Sequence, residues 1–461
     1  MQTHLVALPA IKKAAPSFVS TRNACKLCAP LGASLVFRGI EGCVPLIHGS
    51  QGCATYIRRY VISHFKEPID IASSNFSEAT AIFGGADNLR IALDNLIRQY
   101  MPSVIGIAST CLSETIGDDV RSYLEQYKAA NRGVVIPALI YASTPSYRGT
   151  HMDGYHEAVK ATVAALAAGG SRGSRLNIIP GFLSAADLRH LREIMDDFHL
   201  TYTMLPDYSE TLDGESWSDY QKLSPGGTPV SLIRSMGQSA ATIQLGRSLA
   251  SQDTAATYLK EAFGVKAVTL GIPIGIGETD RFFGTLEEIS GFAIPRRYEK
   301  ERGRLVDAYI DAHKTVAGRR AVIYGEADFV VSIASFLAEI GIVPALCATG
   351  ASTGRFKEII SPVLPAGHKD IMIREDTDFE DMLEICRNID VDIIIGNSKG
   401  YYLAKNLNIP LVRAGFPIHD RIGGQRILHV GYAGTQQLFD RIVNAVIEHR
   451  QNKSPVGYSY M

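Results

Sequence analysis

The stretch ADNLRIALDNLIRQYMPSVIGIASTCLSETIGDD, residues 86–119, decides the fold. Apolar residues recur at helical spacing over residues 86–99, and a short β-branched run follows at 103–108. An amphipathic helix that leads into a short apolar strand is typical of parallel α/β units. Cys111 ends this strand among small residues, so the same stretch also supplies a first candidate for a functional site.

Outward from this stretch, the same alternation fills the chain and predicts doubly wound layers of an α/β fold. A length of 461 residues corresponds to about three domains. The polar, glycine-rich connection at 169–174 predicts one boundary, and a second is placed around 299–311. The predicted domains are 1–172, 173–310 and 311–461. Further strands are predicted at 133–141, 176–179, 201–205, 240–245, 267–270, 321–324, 343–347, 370–373, 392–395 and 410–412, and further helices at 157–168, 186–198, 253–263, 329–339, 378–387 and 436–450.

The composition excludes several classes of protein. Lys and Arg total 46 against 47 for Asp and Glu, and this balance argues against a nucleic-acid-binding protein. No apolar run approaches the roughly 20 residues of a membrane-spanning helix, and residues 1–9 lack the features of a signal peptide. There is no Walker A motif, and no Gly-x-Gly-x-x-Gly motif follows a strand. These observations predict a cytoplasmic globular protein that binds no nucleic acid, no membrane and no nucleotide.

The cysteines are concentrated near the N-terminus, where five of the seven lie: Cys25, Cys28, Cys43, Cys53 and Cys111. An odd number of cysteines in an intracellular chain does not suggest a disulfide framework. Thiolates beside glycines suit an iron–sulfur cluster or zinc, although no second Cys-x-x-Cys follows the pair at 25 and 28. Spacing alone leaves three interpretations open: a metal cluster, a zinc site, or buried structural cysteines.

A series of distinctive motifs runs along most of the chain. In order, they are CAPLGA (28–33), HGSQGC (48–53), HFKEP (64–68), IFGG (82–85), STCLSETIGDD (109–119), STPS (143–146), IPIG (272–275), YGEADF (324–329), GNS (396–398) and RAGFP (413–417). This series resembles component 1 of nitrogenase and its relatives and, within that family, the β-type chain. Because the matches keep their order throughout, the resemblance covers essentially the whole chain.

The resemblance implies three Rossmann-like domains with mostly parallel sheets around a metal cluster, at the interface with a homologous α-type partner. It implies an α2β2 assembly, and it places a larger, catalytic iron–sulfur cofactor on the α-type chain. Cys28, Cys53 and Cys111 match the β-side ligands of the [8Fe-7S] P-cluster that both chains share, and Ser146 matches a serine that can ligate the oxidised cluster. Tyr56 matches a position between the two metal centres. The residues that match the docking surface of the ATP-hydrolysing iron protein are Phe83, Ile116, Gly117, Asp118 and Asp119.

Several of these residues also have a purely structural interpretation. Ser146 could cap the following segment, Tyr56 could be a buried core phenol, and the aspartates at 118 and 119 could complement a helix dipole. Cys25 is an addition to the family pattern, and its place is left open. Three cysteines match no ligand position and are expected to pack: Cys43, Cys347 and Cys386.

Three functions fit a β-type chain of this family. The leading one is a subunit of a nitrogenase-like reductase that cleaves C–S bonds of methylthio-alkanes; the others are a dinitrogenase β subunit and the β-type chain of the scaffold on which the nitrogenase cofactor matures. A complete set of three cysteines with Ser146 favours a working electron relay over the scaffold. Only 27 residues precede Cys28, which argues against the long arm of the molybdenum enzyme's β chain. The GGQR stretch at 423–426 resembles the scaffold type. No catalytic residue is expected on this chain.

Overall fold

The computed structural model describes residues 24–365 and 370–456. Residues 1–9, on which the signal-peptide prediction rests, and residues 457–461 of the C-terminal tail lie outside the described part. Within the described ranges, short strands alternate with helices along the whole chain. No helix in these ranges has the length and apolar character needed to cross a membrane.

The strands of the described residues form three sheets in which all neighbouring strands are parallel. They are β1 (Cys43–His48), β2 (Ala72–Ser73), β3 (Val104–Ser109), β4 (Ala138–Ala142), β5 (Leu176–Ile179), β6 (Tyr202–Met204), β7 (Ala241–Leu245), β8 (Lys266–Leu270), β9 (Arg320–Gly325), β10 (Val343–Thr349), β11 (Met372–Arg374), β12 (Ile393–Gly396) and β13 (Leu411–Arg413). The strand orders are β2-β1-β3-β4 in the first sheet, β6-β5-β7-β8 in the second and β11-β10-β9-β12-β13 in the third. These crossover orders are those of doubly wound units and confirm the predicted α/β class.

Helices connect the strands and cover the sheets. They are α1 (Ala29–Arg38), α2 (Gln51–Phe65), α3 (Glu78–Phe83), α4 (Ala86–Tyr100), α5 (Cys111–Thr115), α6 (Val120–Ala130), α7 (His151–Leu166), α8 (Ala185–Asp197), α9 (Val230–Arg234), α10 (Ala255–Phe263), α11 (Ile276–Ser290), α12 (Arg296–Val316), α13 (Ala327–Glu339), α14 (Phe356–Ile360), α15 (Phe379–Cys386), α16 (Tyr401–Leu407) and α17 (Gly431–Lys453). Because helices cover the sheets, β1 and β3 are buried along their entire length.

The carboxyl ends of three strands in the first sheet meet at one edge. His48 at the end of β1 lies opposite Ser109 at the end of β3, and Ala108 of β3 lies opposite Ala142 of β4. In this register the strands end at the same level, so the loops that follow them lie side by side. The loops after β1, β3 and β4 therefore share one edge, where open α/β sheets bind ligands.

Two glycines let α1 and α7 pack backbone against backbone. A Cβ on Gly32 of α1 would lie 1.7 Å from the carbonyl oxygen of His151 at the start of α7. A Cβ on Gly154 of α7 would lie 1.9 Å from the carbonyl oxygen of Ala29 at the start of α1. Only glycine permits this approach, which joins the helix after residue 28 to the helix that follows the loop after β4.

The boundaries of the predicted elements agree with the structure to within a few residues in most places, and β5 has the predicted bounds. The prediction missed the strands β1 and β2 and the helices α1, α2, α3, α5, α6, α9, α11, α12, α14 and α16. The predicted division between residues 172 and 173 falls between the first and the second sheet. The division between 310 and 311 falls inside α12, which is continuous from Arg296 to Val316. The three domain ranges themselves stay a prediction.

Candidate metal-cluster site

Cys28 is the N-cap residue of α1 and has an extended backbone. Pro30 follows in the first turn, where its missing N–H removes no intrahelical hydrogen bond. The backbone N–H of Ala29, the first helical residue, donates to the hydroxyl of Ser146 at 3.1 Å. The start of α1 is therefore tied directly to the loop after β4, and Ser146 caps α1 rather than the segment that follows it.

Cys53 lies in the first turn of α2, five residues after the end of β1. The hydroxyl of Ser50, the N-cap residue of this helix, donates to its Sγ at 3.7 Å. A Cβ on Gly49 would lie 2.2 Å from the hydroxyl oxygen of Thr110. The glycine therefore lets the loop that leads to Cys53 touch the residue just before Cys111.

Cys111 is the first residue of α5, two residues beyond β3. Thr110 caps this short helix, because its hydroxyl accepts the N–H of Ser113. The backbone N–H of Ser146 donates to the Sγ of Cys111 at 3.2 Å. Ser146 thus contacts the Cys111 thiol through its N–H and Ala29 through its hydroxyl, and it joins two of the three cysteine segments.

Cys53 and Cys111 both lie near enough to Cys28 to act on its thiol. Burial, and to a smaller extent the neighbouring Cys53 and Cys111, raise the pKa of the Cys28 thiol to about 11. Cys53 is half-buried and Cys111 is exposed, so the set opens onto the surface. Within the described ranges, no three His, Cys, Asp or Glu side chains are arranged to hold a single metal ion. Such a donor set does not fit one zinc ion, whereas soft thiolates from separate segments are ligands that suit a large iron–sulfur cluster.

Glu114 joins the strand ends beneath these ligands, and the sequence-based interpretation gave it no role. Its Oε1 accepts hydrogen bonds from the hydroxyls of Ser109 at 2.5 Å, Ser143 at 2.6 Å and Tyr141 at 3.0 Å. Burial opposes its ionisation, but the three hydroxyl donors, together with the positive charge of Arg148, outweigh burial and lower the pKa of Glu114. The signal that could have found it is a carboxylate three residues after Cys111, with hydroxyl residues at two strand ends.

Tyr56 lies on the outer side of α2, where 44% of the residue is exposed. It is therefore not a buried core phenol in this chain. Its ring packs on that of Tyr60, with 4.7 Å between the centroids. Burial of the hydroxyl, followed by a hydrogen bond with Tyr60, raises the pKa of Tyr56 and keeps the phenol protonated. Tyr56 stands three residues after Cys53, so the two share one face of the helix.

The structure brings the two parts of the predicted docking surface together. Phe83 ends α3 and is 86% exposed. Ile116 and Gly117 form the turn between α5 and α6, and Gly117 has a φ of +78°, in the left-handed region. The backbone N–H of Gly85, two residues beyond Phe83, donates to the carboxylate of Asp118 at 3.0 Å. The exposed phenylalanine and the turn therefore form one continuous surface.

The two aspartates of this turn differ in exposure. The Asp118 side chain is only 2% exposed, and its Oδ2 pairs with Nε2 of His48 at 3.0 Å. The Tyr123 hydroxyl donates to Oδ1 of Asp118 at 3.2 Å. Asp119 is exposed, and its side chain accepts the N–H of Ser122 at the N-cap of α6. Asp118 is thus positioned to hold the turn in place, and Asp119 has the capping role expected of an acidic residue at a helix start.

The remaining cysteines are buried, as expected for packing residues: Cys25, Cys43, Cys347 and Cys386. Cys25 packs in the core of the third sheet beside Tyr324, not at the surface with Cys28. Burial raises the pKa of its thiol to about 12. Lys399 holds the same segment by donating to the carbonyl oxygen of Ala24 at 2.5 Å. The question left open for Cys25 is thereby answered by a role in the core.

Comparisons with known proteins agree with this arrangement. The family model described as nitrogenase component 1 type oxidoreductase matches residues 28–447. The nitrogenase molybdenum-iron protein beta chain of Clostridium pasteurianum is 36% identical over 428 residues, which cover 92% of this chain and 93% of that one. The nitrogenase iron-molybdenum cofactor biosynthesis protein NifN of Bradyrhizobium diazoefficiens is 35% identical over 448 residues, which cover 96% of this chain and 93% of NifN.

A structural comparison extends the similarity to the whole fold. A chain in the solved structure of nitrogenase Cp1 at pH 6.5 superposes with a TM-score of 0.93 at 34% identity, covering 98% of each chain. The superposition thus covers nearly the whole of both chains, and the family model spans residues 28–447. The chain belongs to the nitrogenase component 1 family, in its β-type branch.

Proposed function

We propose that this chain is the β-type subunit of a nitrogenase-like reductase and that Cys28, Cys53 and Cys111 hold its half of a P-cluster shared with an α-type partner. The observation that carries the proposal is the convergence of three thiols on one open surface at the carboxyl edge of the first sheet. Ser146 supports it, because it contacts the Cys111 thiol and the start of α1. A [8Fe-7S] cluster supplies electron storage and transfer at such a site.

The surface around Phe83 supports docking of an ATP-hydrolysing iron protein. Asp118 connects this surface to His48, the last residue of β1, and β1 leads through a short loop into α2, whose first turn carries Cys53. Tyr56, on the same helix face as Cys53, lies on the proposed route to a larger iron–sulfur cofactor in the α-type chain. The chain's own residues would thus position the cluster and the docking partner, in an α2β2 assembly.

For the terminal reaction we favour reductive cleavage of C–S bonds in methylthio-alkanes. This chain is 36% identical to a molybdenum-iron beta chain and 35% identical to the biosynthesis protein NifN. Because neither identity is high and the two are nearly equal, they support a function distinct from both. The second candidate is the β-type chain of the cofactor maturation scaffold, favoured by the coverage of 96% of this chain in the NifN comparison. A dinitrogenase β subunit is the third, supported by the beta-chain relatives.

The first experiment counts iron and acid-labile sulfide per αβ unit, in complex purified without oxygen after co-expression with the α-type partner. Roughly fifteen irons, the sum of two large clusters, support a terminal reductase. A count of roughly four irons favours the scaffold, and so does a count of up to about twelve if a precursor cluster is loosely held. Absence of iron in the complex contradicts the proposal. A reductase would then be assayed for methanethiol release from ethyl methyl sulfide and, separately, for ammonia from dinitrogen.

A further inference from the structure

Glu114 lies at the meeting point of two strand ends that carry cluster ligands. Ser109, which ends β3, and Ser143, which follows β4, both donate to the same carboxylate oxygen. The hydroxyl of Tyr141 on β4 is the third donor to this oxygen. One oxygen atom thereby connects the loop of Cys111 to the loop of Ser146.

The hydrogen bonds continue from Glu114 to the ligand loop. Because Ser109 donates its proton to Glu114, its hydroxyl oxygen is free to accept the N–H of Thr144 at 2.9 Å. The Thr144 hydroxyl donates in return to the carbonyl oxygen of Ser109 at 2.7 Å. Two residues further on, the N–H of Ser146 reaches the Cys111 thiol. Without the Glu114 carboxylate, the Ser109 hydroxyl would lose its acceptor and could rotate. The hydrogen bonds between Ser109 and Thr144 would then weaken.

A helix-dipole role alone does not account for Glu114. The residue is in the first turn of α5, where an acidic side chain is favourable, but this helix has only five residues and a correspondingly small dipole. Its Oε1 is occupied by hydroxyls 5, 27 and 29 residues distant in sequence. These contacts are directed across the sheet edge rather than along the helix.

We propose that Glu114 is a positioning residue that fixes Ser146 against Cys111 and lowers, through its negative charge, the reduction potential of the cluster these residues hold. The inference rests on the proposed function. The carboxylate would act through hydrogen bonds and charge, without ligating iron. A nearby negative charge stabilises the oxidised cluster over the reduced one, and this sets the direction of the shift in potential.

The test uses the αβ complex with Glu114→Gln and Glu114→Ala, and Glu125→Gln on the exposed side of α6 as matched control. In Glu114→Gln the amide oxygen can still accept hydroxyl protons, so iron content should stay at the wild-type value while the midpoint potential rises. In Glu114→Ala the potential should rise and iron should be lost. Amide exchange at Thr144 and Ser146 should accelerate in Glu114→Ala only. Glu125→Gln should leave all three quantities unchanged.

A double substitution separates positioning from general damage. Ser146→Ala should change the spectrum of the oxidised cluster equally in the wild type and in Glu114→Gln. In Glu114→Ala, where Ser146 is already displaced, it should cause no further change in the spectrum. An unshifted potential in Glu114→Gln, or unchanged amide exchange in Glu114→Ala, would overturn the inference. If the wild-type complex holds no iron, the proposed function fails, and the exchange measurement still decides whether Glu114 positions the loop.

Discussion

Gly32→Ala would test whether the contact between α1 and α7 sets the geometry of the cluster surface. The added Cβ would lie 1.7 Å from the carbonyl oxygen of His151 and 2.8 Å from the backbone nitrogen of Tyr155. Non-bonded heavy atoms prefer about 3.5 Å, so the two helices would have to separate by roughly 1.5 Å or more. Overpacking of this kind costs about 1–3 kcal/mol, because the opposing atoms are backbone and cannot rotate away.

The separation would also stretch a hydrogen bond at the site. The N–H of Ala29 donates to Ser146 at 3.1 Å, and a shift of the expected size takes this distance out of hydrogen-bonding range. Its loss adds about 1 kcal/mol, for a total of roughly 2–4 kcal/mol. For a unit of 150–250 residues this corresponds to a fall in Tm of roughly 5–15 °C.

The assay is thermal unfolding of the αβ complex together with its iron content. We expect Gly32→Ala to lower both, because displacement of α1 moves Cys28 away from Ser146. Gly303→Ala on α12 is the matched control, because a Cβ there meets no atom within 4 Å. It should leave iron unchanged and stabilise the helix by up to about 1 kcal/mol. Wild-type Tm and iron in Gly32→Ala would refute the reasoning.

Three further predictions concern the docking surface and the ligands. Asp118→Ala should destabilise the 83–86 segment by about 3–5 kcal/mol and accelerate amide exchange at Gly85, because His48, Gly85 and Tyr123 lose their acceptor and the first two are buried. The folded-state pKa of Asp118 is lowered, so the carboxylate stabilises the fold above its unfolded-state pKa, near 3.9. This stabilisation should be lost as pH falls through the folded-state pKa. A difference in stability between wild type and Asp118→Asn that does not change with pH would contradict this. Phe83→Ala should slow reduction by the iron protein in stopped-flow experiments and leave the cluster spectrum unchanged; a changed spectrum would place Phe83 in the packing around the cluster. Cys53→Ala should lower bound iron and stop electron delivery without unfolding the chain. In the control variant Cys386→Ala, the complex should keep the wild-type iron content. Equal iron loss in both variants would argue against Cys53 as a ligand.

The parts of the fold that could be predicted are those in which one element carries its own signal. The strands β9 and β12 each contain a run of adjacent β-branched residues and are almost fully buried, so they are visible in the sequence. In β1, Pro45 interrupts the run although every residue of the strand is buried. In α1 all ten residues are buried, so no polar face marks its helical period.

The ligand cysteines could be proposed because their neighbours form recognisable motifs, whereas their supports could not. Glu114 acts through hydroxyls on another strand, and only the parallel register of β3 and β4 brings these together. Asp118 is in a motif matched to a docking surface, yet its side chain is buried by contacts with His48 and Tyr123. Such roles depend on tertiary distances that sequence spacing does not contain.

The attachment of the segment before Cys28 to the third sheet has a consequence for synthesis in the cell. Lys26 pairs with Asp376, and Lys399 holds Ala24, so residues 350 and 375 positions apart must meet before this segment is anchored. At about 5–20 residues per second, a ribosome needs roughly 20–70 s to make the intervening chain. During that time residues 24–26 lack these contacts, whereas Cys28 can already be held by Ser146 and by the packing of α1 on α7. Anchoring of residues 24–26 therefore has to follow translation of the third sheet, whereas the surface that carries the three cysteines can form from the first sheet and its helices alone.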